Sequence, residues 1–288
     1  MAIDYHTLKN WHFADVEHSY TLRDTMLYAL GVGCAADPTD PVELRFVYEE
    51  NLQVLPTMAV VLGHPGFWIR DPGTGIDWRM VLQGEQGVRI HAPLPPSGTV
   101  IGRSRIAEIV DKGPGKGALI HLERGIFDKA SGLHLATATA TTFVRGEGGF
   151  GGPSRYGRAP QAAPDRDPDL VIDLSTSRRA ALIYRLSGDD NPLHVDPAVA
   201  RAAGFPRPIL HGLCSFGIAG RAILAACCAN GLAQIDEIEA RFTSPVYPGE
   251  TIRTEIWRDG AALAFRCSVV ERNIVALSNG RAMLQVPG

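Results

Sequence analysis

"HGLCSFGIAGRAILAACCANG", residues 211–231, is apolar nearly all round. A helix of that kind belongs in a protein's interior. Gly231 can end it. His211 and Arg221 interrupt the run, which argues against a membrane span, since a span wants about 20 mostly apolar residues. Three segments of strand character follow: "TSPVYPGETIRTEIWRDG" (243–260), "ALAFRCSVVER" (262–272) and "IVALSNGRAMLQV" (274–286). They are rich in Thr, Val, Ile and aromatic residues with rough alternation. A long buried helix followed by an antiparallel meander predicts a sheet wrapped around a helix, an α+β arrangement.

The same order occurs once before. "HAPLPPSGTVIGRSRIAEIVDKG" (91–113), "ALIHLERGIFD" (118–128) and "LHLATATATTFVRG" (133–146) again run Pro-rich turn, strand, turn, strand, turn, strand. A helix is expected ahead of them near "PTMAVVLGHPG" (56–66), shorter than its later counterpart. This pattern points to a duplicated unit. Between the two, residues 145–169 are rich in Gly, Pro, Arg and Asp with little to bury, and read as a linker. The expected division is a first unit over 1–148, a linker over 149–168 and a second unit over 169–288.

The chain has 288 residues, 45% hydrophobic and 20% charged, which places it among globular proteins. Its net charge is -3 with no long basic run, so nucleic acid is not the expected partner. The cysteines are Cys34, Cys214, Cys227, Cys228 and Cys267. Their number is odd, none forms a CxxC pair, and no zinc spacing is present, which favours a reducing compartment. "MAIDYHTLKNWHF" lacks the regions of a signal peptide, and "QVPG" is no Ser-Lys-Leu-type address. The expectation is a cytoplasmic chain without a membrane partner.

"SGDDNPLH" (187–194) concentrates the polar chemistry. "LSTSRRAALIYRLSG" (174–188) reads as a helix with Ser175 or Thr176 as N-cap, a buried face from Ala181, Ile183, Tyr184 and Leu186, and Gly188 at its end. Pro192 denies the backbone an N–H and biases Asn191 away from helix. Next, Asp196 caps a short helix with Pro197 at its first position and Gly204 after its end. Asp189, Asn191 and His194 are thus held in a fixed loop between helix ends. A carboxylate and an imidazole facing one water can activate it and return its proton, and no metal is required. Gly212 lies at the start of the long apolar helix, where an unpaired N–H favours developing negative charge on a carbonyl oxygen. Two readings stay open for Asn191, an Asx turn or support of the chemistry. His211 caps or packs.

The run "YRLSGDDNPLHVDPAVARAAGFPRPILHGLCSFG" (184–217) closely resembles the signature of the MaoC-like (R)-specific enoyl-CoA hydratases, the hydratase 2 family. "RDTMLYALGVG", "QGEQGVRIHAPLP", "VDKGPGKG", "FVRGEGGFGG" and "ARFTSPVYPGETIRTEIW" are similar to the family's two-domain members. The resemblance implies a double hotdog fold, two long helices each wrapped by a curved antiparallel sheet. It implies that only the second unit keeps the catalytic loop, while the first makes room for the acyl chain. The implied reaction is reversible syn hydration of a medium- or long-chain trans-2-enoyl-CoA to a (3R)-3-hydroxyacyl-CoA in fatty acid metabolism. Asp189 and His194 would hold and activate the water, Asn191 would support them, and Gly212 would stabilise the thioester oxygen. Gln83, Gly84, Lys112 and Phe242 match positions that line the CoA or acyl site. Lys112 is otherwise a turn lysine and Phe242 a packing residue. CoA is part of the substrate and no separate cofactor is implied; a homodimer is. Members often carry His where Gln83 stands and a bulky residue where Asp190 stands. The alternatives are a MaoC-like dehydratase acting on branched, steroid side-chain, dicarboxylic or carrier-bound acyl thioesters, and a non-catalytic acyl-CoA-binding subunit.

Overall fold

The computed structural model describes residues 3–159, 161–228 and 234–285. The strands are β1 (Val16–Tyr20), β2 (Val81–Ile90), β3 (Gly98–Asp111), β4 (Ala118–Asp128), β5 (His134–Val144), β6 (Leu170–Ser175), β7 (Gln234–Phe242), β8 (Thr251–Asp259), β9 (Ala262–Val269) and β10 (Ile274–Gln285). The helices are α1 (Tyr5–Lys9), α2 (Leu22–Gly31), α3 (Pro41–Leu44), α4 (Ala180–Tyr184), α5 (Pro197–Ala202) and α6 (Gly212–Cys227). All ten strands join one sheet in the order β1-β3-β4-β5-β2-β7-β10-β9-β8-β6. The second half of that order mirrors the first, with β6 in the place of β1, β7 of β2, and β8, β9 and β10 of β3, β4 and β5. This is the duplication legible in the sequence, closed at a β2–β7 seam into the expected α+β double hotdog.

The apolar run does form the central helix. α6 buries Cys214 through Leu224 without interruption, and the core cluster around it draws residues from both halves, among them Tyr28, Val88 and Ile126 with Ile218, Ile223 and Phe265. Glycines let it approach the first half closely: a Cβ on Gly217 would come within 2.5 Å of Val32, and one on Gly220 within 2.6 Å of Thr57. Arg221, buried on this helix, is neutralised by Glu43 of α3 at 2.6 Å. Gly231 lies outside the described residues. No described helix is long and apolar enough to cross a membrane. Four of the five free cysteines are buried and Cys227 is half-buried.

Three expectations are corrected. Among the described residues the first unit has no long helix to match α6: "PTMAVVLGHPG" gives a five-residue 3-10 helix over Pro56–Val60. Gly63 and Gly66 follow in the left-handed region, φ +59° and +72°, and turn the chain away. The buried Arg124 donates to the carbonyls of Ala59 and Val60, at 3.3 and 2.7 Å, and so closes the shortened helix. Second, Ser175 ends β6 and caps no helix. Residues 170–175 pair with β8, and Thr176 bonds Glu250 O at 2.8 Å, so α4 starts only at Ala180. Third, Leu186 is 61% exposed, because the last turn tightens to 3-10 and rotates it off the buried face of Ala181 and Tyr184.

Residues between β5 and β6 have more to anchor them than their composition conveys. The Phe150 ring packs on the smaller apolar cluster and stacks on Tyr5 at 6.0 Å. The Asp111 carboxylate gathers the two Gly-rich stretches, accepting the N–H groups of Gly149, Gly113 and Gly151, each at 2.8 Å. Those amides hold its pKa below the usual carboxylate range. The carboxyl therefore binds its proton less readily folded than unfolded. Its contribution is complete above the unfolded-state pKa of about 4 and is lost as pH falls through the folded one. Asp111→Asn should lower Tm at pH 7, with the gap from the parent closing as pH drops through that range. A gap independent of pH in thermal scans would remove the carboxylate from this role.

Candidate active site

α4 continues through a 3-10 turn, Arg185–Ser187, and stops at Gly188, whose φ of +108° a residue with a Cβ rarely adopts. Asp189 is the next residue. Asn191 Oδ1 accepts the Leu193 N–H at 3.1 Å and caps a 3-10 turn over Pro192–His194. The Asn191 N–H donates to Asp189 Oδ1 at 3.3 Å. Asn191 thus makes the Asx cap that sets the loop carrying both other residues. Asp196 caps α5 as expected, accepting from Ala198 N at 2.7 Å.

His194 Nδ1–H donates to the Ile209 carbonyl at 2.9 Å. That bond fixes the neutral tautomer and leaves Nε2 with a free lone pair. The residue is 8% exposed. Burial lowers its pKa, opposed by the Ile209 carbonyl and the Asp189 carboxylate. Donor atoms of Asp189, His194 and His211 all lie within 4.8 Å of one another. A carboxylate and an imidazole thus lie close enough to contact one water.

His211 is a participant that the sequence left as a cap or packing residue. It is fully buried and stacks on His194 with centroids 3.8 Å apart and planes at 29°. Its Nε2–H donates to the Asp189 carbonyl at 3.3 Å. Burial, and then the neighbouring His194, push its pKa down to about 3. It therefore stays neutral and braces the loop. Tyr184 lies behind it at 5.1 Å and Tyr28 behind Tyr184 at 5.9 Å. Asp189 with the two histidines has the composition of a metal site. One nitrogen of each ring is already committed to a backbone carbonyl, His194 Nδ1 to Ile209 and His211 Nε2 to Asp189.

Gly212 opens α6, and no side chain caps that helix. Its first N–H groups face outward with the positive end of the helix dipole behind them. A Cβ on Gly212 would meet the Phe242 ring at 3.1 Å and Gln83 Oε1 at 3.3 Å. Phe242 from the end of β7 and Gln83 from the start of β2 therefore both reach the site. Gly84 touches it only through its neighbour: the β2–β5 register shifts between Gln83 and Glu85, so Gly84 is a bulge. Lys112 follows the end of β3 and is exposed. Asp111, Ala118, Val144 and Val81 face one another across β3, β4, β5 and β2, so it stands on the rim of the sheet at which β2 starts.

His64, from the first unit, also went unnoticed in the sequence. It keeps solvent-accessible surface although protein surrounds it on most sides. That enclosure and the nearby Arg124 guanidinium push its pKa down to about 4, against the pull of Asp189. A cavity of about 310 Å³ lies elsewhere, on the outer sheet face beneath Tyr156–Ala159. Its charges are largely spent on each other, as in Glu85–Arg241 and Arg89–Glu237, so the chemistry is assigned to the loop and the α6 N-terminus.

Comparison with known proteins agrees on both halves. The family described as "MaoC like domain" matches residues 159–279, and the "MFE-2 hydratase 2 N-terminal domain" matches residues 18–146. The chain is 46% identical to 3-hydroxyacyl-thioester dehydratase Y of Mycobacterium tuberculosis, over 83% of this chain and 82% of that one. It is 40% identical to the peroxisomal enoyl-CoA hydratase 2 of Arabidopsis thaliana, over 92% and 90% of the two chains. Among solved structures, a MaoC-like dehydratase from Phytophthora capsici superposes with a TM-score of 0.86 at 34% identity, covering 98% of this chain and 99% of that one.

Proposed function

The chain belongs to the MaoC-like hydratase 2 family, and we propose that it is an (R)-specific 2-enoyl-CoA hydratase that adds water reversibly to trans-2-enoyl-CoA thioesters. The observation that carries this reading is the meeting of the Asp189 carboxylate and the His194 imidazole, within 4.8 Å, beside the open N-terminus of α6.

A water held between Asp189 and the His194 Nε2 lone pair gives up one proton to that pair as its oxygen bonds C3. The C2=C3 electron pair moves toward the carbonyl, and the thioester oxygen becomes enolate-like. The Gly212 N–H faces that oxygen, and a donor so placed is typically worth about 3 kcal/mol in the transition state. The enolate then collapses and C2 takes the proton from the Asp189–His194 pair. Hydroxyl and proton come from one group, so they arrive on one face. Water alone balances the reaction, and CoA enters as part of the substrate.

The acyl group is proposed to be medium or long. The support is the shortened Pro56–Val60 helix, which covers less of the first half-sheet than α6 covers of the second. Purified protein incubated with short, medium and long trans-2-enoyl-CoA should remove the conjugated thioester absorbance and yield the (3R) alcohol by chiral analysis. A (3S) product, or acyl-CoA binding without turnover across the panel, would overturn the proposal.

A further inference from the structure

We infer that Gln83, a residue of the first half, donates a hydrogen bond from its side-chain amide to the thioester oxygen that Gly212 N–H also meets, making it a catalytic residue; this rests on the hydratase reading above. On β2, Gln86 and Val88 are buried on the inner face, while Glu85 and Arg89 lie on the outer face, bonded to Arg241 and Glu237. Strict alternation would put Gln83 outside with Glu85. The ladder breaks between them: Gln83 stands opposite Thr142 and Glu85 opposite Thr141. The extra residue is Gly84, where a Cβ would come within 3.1 Å of Thr141 O. A bulge re-aims the preceding side chain, and this one turns Gln83 inward, with Oε1 3.3 Å from the Gly212 Cβ position.

An amide at that place has work that an apolar side chain could not do. It is open to solvent, so a half-turn about its broad terminal torsion presents Nε2–H in place of Oε1. An enolate-like oxygen has lone pairs for two donors, and the backbone N–H of Gly212 supplies one. The Phe242 ring, 3.1 Å from the same Cβ position, closes the other side. Gln83 carries no charge, so it strengthens as the oxygen becomes negative without adding a proton to the Asp189–His194 exchange. The first half thus supplies part of the chemistry.

The test compares the full-length parent with Gln83→Met, Gln83→His and Gln83→Glu on a trans-2-enoyl-CoA, with the Kd of the matching saturated acyl-CoA as the binding readout. A donor used only in the transition state lowers kcat and leaves binding alone. Gln83→Met, of similar length but without a donor, should lose about 100-fold in kcat with KM and Kd nearly unchanged. Gln83→His should regain most of it through its ring N–H. Gln83→Glu, closest to the parent in size and polarity, should lose more than Gln83→Met because it sets an anion beside the oxyanion. An unchanged kcat in Gln83→Met, or a loss confined to KM and Kd, would overturn the inference and leave the hydratase reading intact. No turnover by the parent would overturn both.

Discussion

Asp189→Asn is expected to lower kcat for hydration by about 10³-fold, roughly 4 kcal/mol of barrier, within the usual range for a positioned acid–base group. The variant keeps Oδ1, and so keeps the acceptor for the Asn191 N–H that shapes the loop. It also keeps the carbonyl that receives His211 Nε2–H. What it loses is the negative charge beside the water. Tm and the Kd for a saturated acyl-CoA should therefore match the parent while turnover collapses. A variant retaining a tenth or more of the parent's kcat would take Asp189 out of the reaction.

His194→Gln is the second large effect, and its pH behaviour separates it from the first. The glutamine amide can still bond the Ile209 carbonyl, so the loop stays seated, but no imidazole lone pair remains and kcat should again fall by about 10³-fold. In the parent, the proposed chemistry needs His194 neutral. Burial lowers its pKa, so the neutral form persists below the ordinary histidine value of about 6.5. The acid limb of kcat/KM should accordingly lie below pH 6.5 in the parent and be absent from the residual activity of His194→Gln. A parent limb above pH 6.5 would contradict the burial argument.

The loop was legible because its rules are local. Gly188 at a helix end, Pro192 fixing the backbone and Asp196 capping the next helix act within a few residues, and all three are found. The duplicated order was legible too, since each half repeats its turns and strands in one sequence. What escaped notice depended on distant partners. Ser175 carries a cap signal, but residues 251–256 lie beside it and draw it into β6. Gly84 is a bulge only because Thr141 and Thr142 set the opposing register. His211 directly precedes the α6 N-terminus, which is a signal of placement. That its ring lies on His194 follows from how the loop folds back over 15 residues to Ile209.

The β2–β7 seam has a consequence for connectivity. Five residue pairs, Glu85–Arg241 through Arg89–Glu237, zip the halves into one sheet. The Arg221–Glu43 ion pair and the glycine face of α6 on Tyr28, Val32 and Thr57 bind them again beneath it. The peptide link across residues 154–159 therefore adds effective concentration to an association that the folded surfaces already specify. Cut there, the two pieces should remain one particle, and two separately made pieces should find each other and complement. Each alone would leave half of a ten-stranded sheet with a raw edge.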